Sequence, residues 1–293
     1  KDVNFDLASE ITPLGYHLAA LPINPRIGKL ILYGVLLRCI DPILTIAAVE
    51  SVRSVFNSPF GEKELADEAK LRFLDGNSDL LTSANAVATW KSQQDRMSEG
   101  EYCRRNFLNM HSLRQVDQMR QQFLRLLQDI GFMPGSVSLN NIGQCEENTY
   151  GTHTGLLKSA ICAGLSPNIL KVADMAGKNN GKKLAEMSLQ SRALGAMKVH
   201  PSSVMSEAKY LDSSYVVYLE AMRTSQVYVR DVTTIPQLVL AMFSGRSKTN
   251  PYNGAVVVDG WLRFRAPTLK ACQAIARVRD AMDDAFMQKV LDP

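Results

Sequence analysis

The chain is 293 residues long with 46% hydrophobic and 21% charged residues, which excludes a small disulfide-stapled scaffold and a wholly disordered chain and leaves room for about two domains. Its net charge of +4 is too weak to name a partner, yet the first 149 residues carry −3 and the rest +7, so any attraction for a polyanion lies in the C-terminal half. Five cysteines (Cys39, Cys103, Cys145, Cys162, Cys272) are odd in number and spaced as neither a metal knuckle nor a redox pair, which predicts a reducing, intracellular compartment.

From Ile11 to about Gly131 the pattern is helical. Thr12 before Pro13 and Asp41 before Pro42 each place a capping oxygen ahead of a proline, where the missing N–H costs nothing. The apolar run Leu30 to Val49 is broken by Arg38, Asp41 and Pro42, whereas a membrane span needs about 20 predominantly apolar residues, so a buried helix pair and no membrane partner are expected. Glu62 to Phe73 and Asp79 to Ser92 read as two amphipathic helices, with Trp90 facing the core. Ser112 with Gln115 predicts a capping box for a helix of about five turns, closed by Gly131. The first half is therefore read as an all-helical bundle.

Residues 134–153, rich in Gly, Asn, Ser and Thr, read as a loop or linker, followed by a short helix over Gly155 to Ala163. The period then changes toward two. Strands are expected over Asn168 to Ala173, Ala193 to Val199, Tyr215 to Leu219 and Gln226 to Val232, then a helix over Pro236 to Phe243. Ala255 to Val258 and Trp261 to Arg265 flank Asp259-Gly260, the strongest hairpin signal in the chain. About five or six short strands predict a small barrel, and Thr268 to Val290 reads as a closing helix packed back onto it. The fold class is α+β.

Sites of self-contained catalysis are not found. Gly177-Lys-Asn-Asn-Gly181-Lys182-Lys183 has three residues between its glycines instead of four, and lysine where a phosphate loop carries its magnesium-binding hydroxyl. His17, His111, His153 and His200 are too dispersed for a zinc helix, and no serine sits in a Gly-x-Ser-x-Gly elbow. No catalytic residue, metal site or cofactor is assigned to this chain. A basic barrel, by contrast, suits single-stranded nucleic acid: phosphates need Lys or Arg, and unstacked bases need flat faces. Here Lys198, Arg223, Arg230, Arg263 and Arg265 accompany Tyr215, Tyr218, Tyr228, Tyr252 and Trp261. In the competing reading, the cations solvate the surface and the aromatics fill the barrel.

Several runs occur in one order. They are Thr12-Pro-Leu-Gly-Tyr-His-Leu-Ala-Ala-Leu-Pro-Ile-Asn-Pro-Arg-Ile-Gly-Lys29, Cys39-Ile-Asp-Pro-Ile-Leu-Thr-Ile-Ala-Ala48, Asn77-Ser-Asp-Leu-Leu with Trp90, Tyr102-Cys-Arg-Arg-Asn-Phe-Leu108 and Met119-Arg-Gln-Gln-Phe123. Ala160-Ile-Cys-Ala-Gly-Leu-Ser-Pro-Asn168, Val199-His-Pro-Ser-Ser-Val204, Arg223-Thr-Ser-Gln-Val-Tyr-Val-Arg230 and Asp259-Gly-Trp-Leu-Arg-Phe264 follow. Together these resemble the C-terminal region of DEAH-box RNA helicases, the RNA helicase A-like branch above all. Two departures are an apparent short insertion after Ser51 and a long stretch from Asn179 to Gln190.

The resemblance implies the end of a winged-helix region and junction over 1–38, a helicase-associated ratchet-like bundle over 39–133, a linker and short helix over 134–166, an oligonucleotide-binding (OB) fold over 167–266 and a C-terminal helix over 267–293. It also implies upstream RecA-like motor domains holding ATP and Mg, and single-stranded RNA as the partner. Lys1 to Phe5 would then be the middle of a longer protein. Carried over residue by residue, Lys198, His200, Ser202, Ser203, Arg223, Thr224, Ser225 and Arg230 on the barrel, with Arg104, Arg105, Asn106 and Arg120 on the bundle, are the RNA-facing candidates. For His200 a structural turn, for the serines backbone caps, and for the bundle residues a salt-bridged helix face are the competing readings. A scaffold that docks protein regulators is the alternative function.

Overall fold

The computed structural model describes residues 11–93, 97–173, 181–224, 226–250 and 252–293. Lys1 to Phe5, Gly177 to Asn180 of the phosphate-loop lookalike, and Ser225 lie outside them.

Helices α1 (Pro13–Ala20), α2 (Pro25–Leu36), α3 (Ile40–Glu50), α4 (Lys63–Leu71), α5 (Asp79–Gln93), α6 (Glu99–Arg105) and α7 (Met110–Asp129) come first. The Thr12 hydroxyl accepts from Gly15 N–H at 3.1 Å, as expected, and Asn24 caps α2 in the same way ahead of Pro25. Two expected starts are corrected. Helix α3 begins at Ile40, with Cys39 at its cap and no side-chain cap bond, so Pro42 sits deeper in the first turn, where an N–H would still have no intrahelical acceptor. Freed from capping, the Asp41 carboxylate binds Arg120. Ser112 is likewise inside α7, because Asn109 is the cap and accepts from the Ser112 N–H at 3.1 Å. The helix ends at Gly131 as anticipated, with φ +84°.

Helix α8 (Thr154–Leu165) lies against α2 so closely that a Cβ on Gly164 would stand 2.7 Å from Leu30 Cα. Trp90, 3% exposed, joins the same helical core. The loop over 134–153 contributes Val137 and Ile142 to that core.

After α8 come β1 (Ile169–Val172), β2 (Leu189–Ser191), β3 (Gly195–Val199), β4 (Tyr215–Arg223) and β5 (Val227–Thr234), which close into a barrel of order β1-β2-β3-β5-β4. Every pairing is antiparallel except β3 with β5. The lumen is filled by Leu170, Leu189, Met197, Val199, Val216 and Val229 among others. The first four residues of β4 are all buried because Val216 and Tyr218 fill the barrel while Tyr215 and Val217 join the helical core.

The expected hairpin is present as β7 (Ala255–Val258) and β8 (Leu262–Arg265), with Asp259 at φ 50° and Gly260 at φ 74°. It does not belong to the barrel. Helix α9 (Gln237–Phe243) carries the chain away after β5, and β7 pairs with β6 (Ser247–Asn250) and β8 in a separate sheet. The barrel position is taken by β2, whose three residues give too short an alternation to read in the sequence. Helix α10 (Leu269–Leu291) also departs from expectation. It packs on α1, α2, α9 and β6 rather than on the barrel. Phe286 stacks on Tyr33 with ring centroids 4.3 Å apart, His17 Nε2 lies 2.8 Å from the Val290 carbonyl, and the Arg279 guanidinium donates to the carbonyls of Ala241, Ser244 and Gly245 at the end of α9.

Gly164→Ala tests the α2–α8 contact. Alanine favours helix by about 1 kcal/mol over glycine, yet the backbone of Leu30 blocks the new methyl, so unfolding free energy is expected to fall by about 1–3 kcal/mol. A denaturant midpoint that stays put or rises would show the helices free to separate.

Candidate nucleic-acid interface

The parallel pair sets the geometry of the barrel's outer face. Lys198 pairs with Tyr228, and Tyr228 with Met222, while Val199 and Val229 turn inward. Alternation therefore puts Lys198, Tyr228 and Arg230 outside. One residue beyond β3, the His200 N–H donates to the Val229 carbonyl at 2.9 Å and extends the ladder. The His200 ring meets Tyr228 edge-on at 5.8 Å, and its Nε2 lies 3.4 Å from Arg230 Nη2. Burial first, then Arg230 and Lys63, push the imidazole below its ordinary value of 6.5, so it is uncharged at neutral pH and offers hydrogen bonds rather than charge. The Ser202 N–H donates to His200 Nδ1 at 3.1 Å, and the Ser202 hydroxyl lies 2.7 Å from the same atom. Lys70 of α4 donates to the Ser202 carbonyl at 2.8 Å.

Ser203 turns the other way. It is 7% exposed, its hydroxyl donates to Asp79 Oδ2 at 2.6 Å, and it accepts from Met205 N–H at 3.1 Å. Asp79 opens α5 and also accepts from the N–H of Val204 at 2.8 Å and of Val232 at 3.0 Å. The residues before it continue the seam: Ser78 Oγ lies 2.6 Å from Thr233 Oγ1, and the Asn77 carbonyl accepts from Thr234 N–H at 3.1 Å. The Asn77-Ser78-Asp79 run is thus the clamp between bundle and barrel.

A pocket of about 410 Å³ opens beside this clamp, lined by Glu50, Asp79, Glu220 and Asp231 with Lys70 and Arg230. Burial, then Asp79 and Glu220, raise the Asp231 carboxyl from 3.8 to about 6. Burial first, then Asp231, Glu220 and Asp79, raise Glu50 well above its ordinary range. Burial also holds Asp79 above its ordinary value, against the opposing pull of Lys70 and its own donors. This carboxylate group was not anticipated from the sequence, because its members come from α3, α5, β4 and β5.

The remaining candidates are dispersed. Arg223 and Thr224 are exposed at the β4–β5 turn, where Thr224 N–H donates to the Gln226 carbonyl at 2.9 Å. Arg104 and Arg105 are exposed on α6; Arg105 pairs with Glu101 at 2.5 Å, and Asn106 Nδ2 donates to the Tyr102 carbonyl at 3.0 Å. Arg120 is 4% exposed and bound to Asp41 and Asp117. Among the described residues Lys198, Arg223, Arg230 and Arg104 enter no ion pair. No helix of the described residues is long and apolar enough to cross a membrane, and they contain no group of three His, Cys, Asp or Glu able to hold a metal ion.

Residues 24–109 match the ratchet-like helicase-associated domain (HA2), and residues 157–247 match the oligonucleotide/oligosaccharide-binding fold. The chain matches the C-terminal region of DExH/DEAH-box RNA helicases. It is 36% identical over 288 residues to the DExH-box ATP-dependent RNA helicase DExH1 of Arabidopsis thaliana, covering 97% of this chain and 27% of that protein. It is 34% identical over 288 residues to the human ATP-dependent RNA helicase DHX29 (97% and 21%) and 34% identical over 293 residues to the human ATP-dependent DNA/RNA helicase DHX36 (98% and 28%). This chain therefore spans about a quarter of the length of these relatives.

Two substitutions probe the seam between bundle and barrel. Asp79→Ala leaves three buried donors without an acceptor and is expected to cost about 3 kcal/mol or more in a denaturant titration. For Asp231 the folded-state value lies above the unfolded one, so the folded state holds more protons between 3.8 and about 6, and stability falls as pH rises through that window. Asp231→Asn, which tolerates the φ of 55°, should remove this share and be more stable than the parent near neutral pH by about 1–3 kcal/mol. Equal stability of the two proteins near neutral pH, with the same pH profile, would contradict it.

Proposed function

We propose that this chain is the strand-gripping part of an ATP-dependent RNA helicase. It holds single-stranded RNA on the outer face of the barrel and transmits the strand's position to RecA-like motor domains elsewhere in the polypeptide, which bind ATP and Mg. The observation that carries the reading is the row formed by Lys198, His200 and Tyr228 beside Arg230, with cations that no carboxylate neutralises within ion-pair distance. Such a row supplies a phosphate-attracting charge, neutral hydrogen-bonding groups and a flat ring, which are what an unpaired strand requires. Arg223, paired with Val227 at the exposed β4–β5 turn, adds a cation at the rim of the barrel, with Thr224 beside it. Ser202 positions His200, Ser203 serves the clamp, and Arg120 holds α7 to α3. Arg104 remains a contact from the bundle side. Buried or half-buried free cysteines agree with a reducing compartment inside the cell.

The test is fluorescence anisotropy with labelled oligouridine across a salt series. Log affinity should fall with log salt at a slope of about −0.7 per phosphate contacted, and Lys198→Ala with Arg223→Ala should weaken binding and make the slope shallower by about 1.4. Affinity that ignores salt, or a double variant indistinguishable from the parent, would overturn the assignment.

A further inference from the structure

The sheet β6-β7-β8 lies almost wholly outside the two stretches that match known domains, since the barrel match ends at residue 247. Its register defines two faces. The rows Ser247–Val258–Leu262 and Thr249–Val256–Phe264 turn toward the core, where Val258 and Leu262 join the helical core and Val256 packs with Ala241 and Cys272. The rows Lys248–Val257–Arg263 and Asn250–Ala255–Arg265 therefore face outward, and Lys248, Asn250, Arg263 and Arg265 are all exposed. Arg246 is exposed as well, two residues before Lys248 on the same strand alternation.

The charge on this face is one-sided. Between Ser244 and Ala271 the chain has five cations and one carboxylate. That carboxylate, Asp259, accepts from the Arg246 backbone N–H at 2.8 Å and has its other oxygen buried, so it is turned away from the outer rows. None of Arg246, Lys248, Arg263 or Arg265 enters an ion pair among the described residues. Strand spacing of about 5 Å and a rise of about 3.3 Å per residue bring adjacent cations to within roughly a Debye length of about 8–10 Å, where they repel one another. A polyanion laid across the rows relieves that repulsion and releases its own counterions. Tyr252, 91% exposed in the β6–β7 turn, presents a free aromatic ring at the Asn250 and Arg265 end. At the other end the Arg192 guanidinium donates to the Asp259 carbonyl and ties the β2–β3 turn of the barrel to the β7–β8 turn, so the two basic surfaces adjoin.

We infer that the outer face of β6-β7-β8 is a second contact for single-stranded RNA, binding its phosphates through Lys248, Arg263 and Arg265 and stacking a base on Tyr252. This rests on the reading of the barrel as an RNA grip and lengthens the path of the strand that the barrel holds.

The experiment compares the 293-residue chain with Lys248→Ala/Arg263→Ala/Arg265→Ala, with Tyr252→Ala and with the barrel variant Lys198→Ala/Arg223→Ala. The probe is labelled oligouridine of about 20 nucleotides, longer than the 4–16 nucleotides typical of one OB fold, measured across a salt series. The triple variant should lose about tenfold or more in affinity and give a slope shallower by about 2. Tyr252→Ala should lose about fivefold with an unchanged slope, as stacking without charge requires. If the triple variant keeps the parent's affinity and slope while the barrel variant loses both, the second contact is refuted and the barrel reading stands. If the parent does not bind, or neither set of variants alters binding, both readings fall. Retention of poly-glutamate by the sheet, with RNA affinity unchanged in the triple variant, would assign the face to an acidic protein and overturn the inference.

Discussion

The arrangement of this molecule depends on one buried carboxylate. Asp79 opens α5, where the helix N-terminus favours negative charge, and it takes hydrogen bonds from Ser203, Val204 and Val232. Burial still disfavours the charged form, so the group is retained against a desolvation cost that only its three donors and Lys70 offset. What that cost secures is placement. The bonds that Ser203 and Val204 donate to Asp79 fix the loop that carries His200 and Ser202, and the bond from Val232 fixes the strand that carries Tyr228 and Arg230. The outer row of the barrel is thereby registered against the helical bundle rather than hung on a flexible connection.

Charge is sorted by the same seam. On the side that faces the bundle, Glu50 and Asp231 share a pocket with Asp79 and Glu220, and burial together with these neighbouring carboxylates raises the proton affinity of Glu50 and of Asp231. Lys70 and Arg230 line it too, so each cation has an acidic field on one side and the barrel exterior on the other. A polyanion is repelled from the pocket and attracted to the rows beyond it. On the proposed function, this sorting would direct a strand along the exterior of the barrel, toward the turn that Arg192 joins to the smaller sheet.

Much of this was legible where the signal is local. Thr12 caps its helix through an atom three residues away, Gly131 takes the φ that ends α7, and Asp259-Gly260 forms its turn whatever surrounds it. Errors fall where a residue chooses between a local and a distant partner. Asp41 gives up capping for Arg120, which lies 79 residues away, and Ser112 yields to Asn109, the better-placed oxygen. The hairpin was correct as a hairpin and misplaced as a barrel element, since nothing within β7 and β8 records that β6 will pair with them. The acidic pocket had no linear signature at all, while Asn77-Ser78-Asp79 was visible as a run and became meaningful only beside β5.

A grip that serves a motor has two requirements that pull apart. It must hold the strand firmly enough that motion is not lost as slippage, and weakly enough that the strand advances. Phosphate contacts made by separate, solvated cations answer both, because each is modest, none reads a base, and a strand shifted by one nucleotide finds an equivalent set. Firmness then has to come from the frame and not from the contacts. Here it does: the cations stand on strands whose register is set by the barrel, and the barrel is clamped to α5 by groups that are almost wholly buried. Spread over the barrel and the smaller sheet, as proposed, such weak contacts would increase the total hold without deepening any single one, so that hold and mobility would be adjusted independently by length of path and by strength of contact.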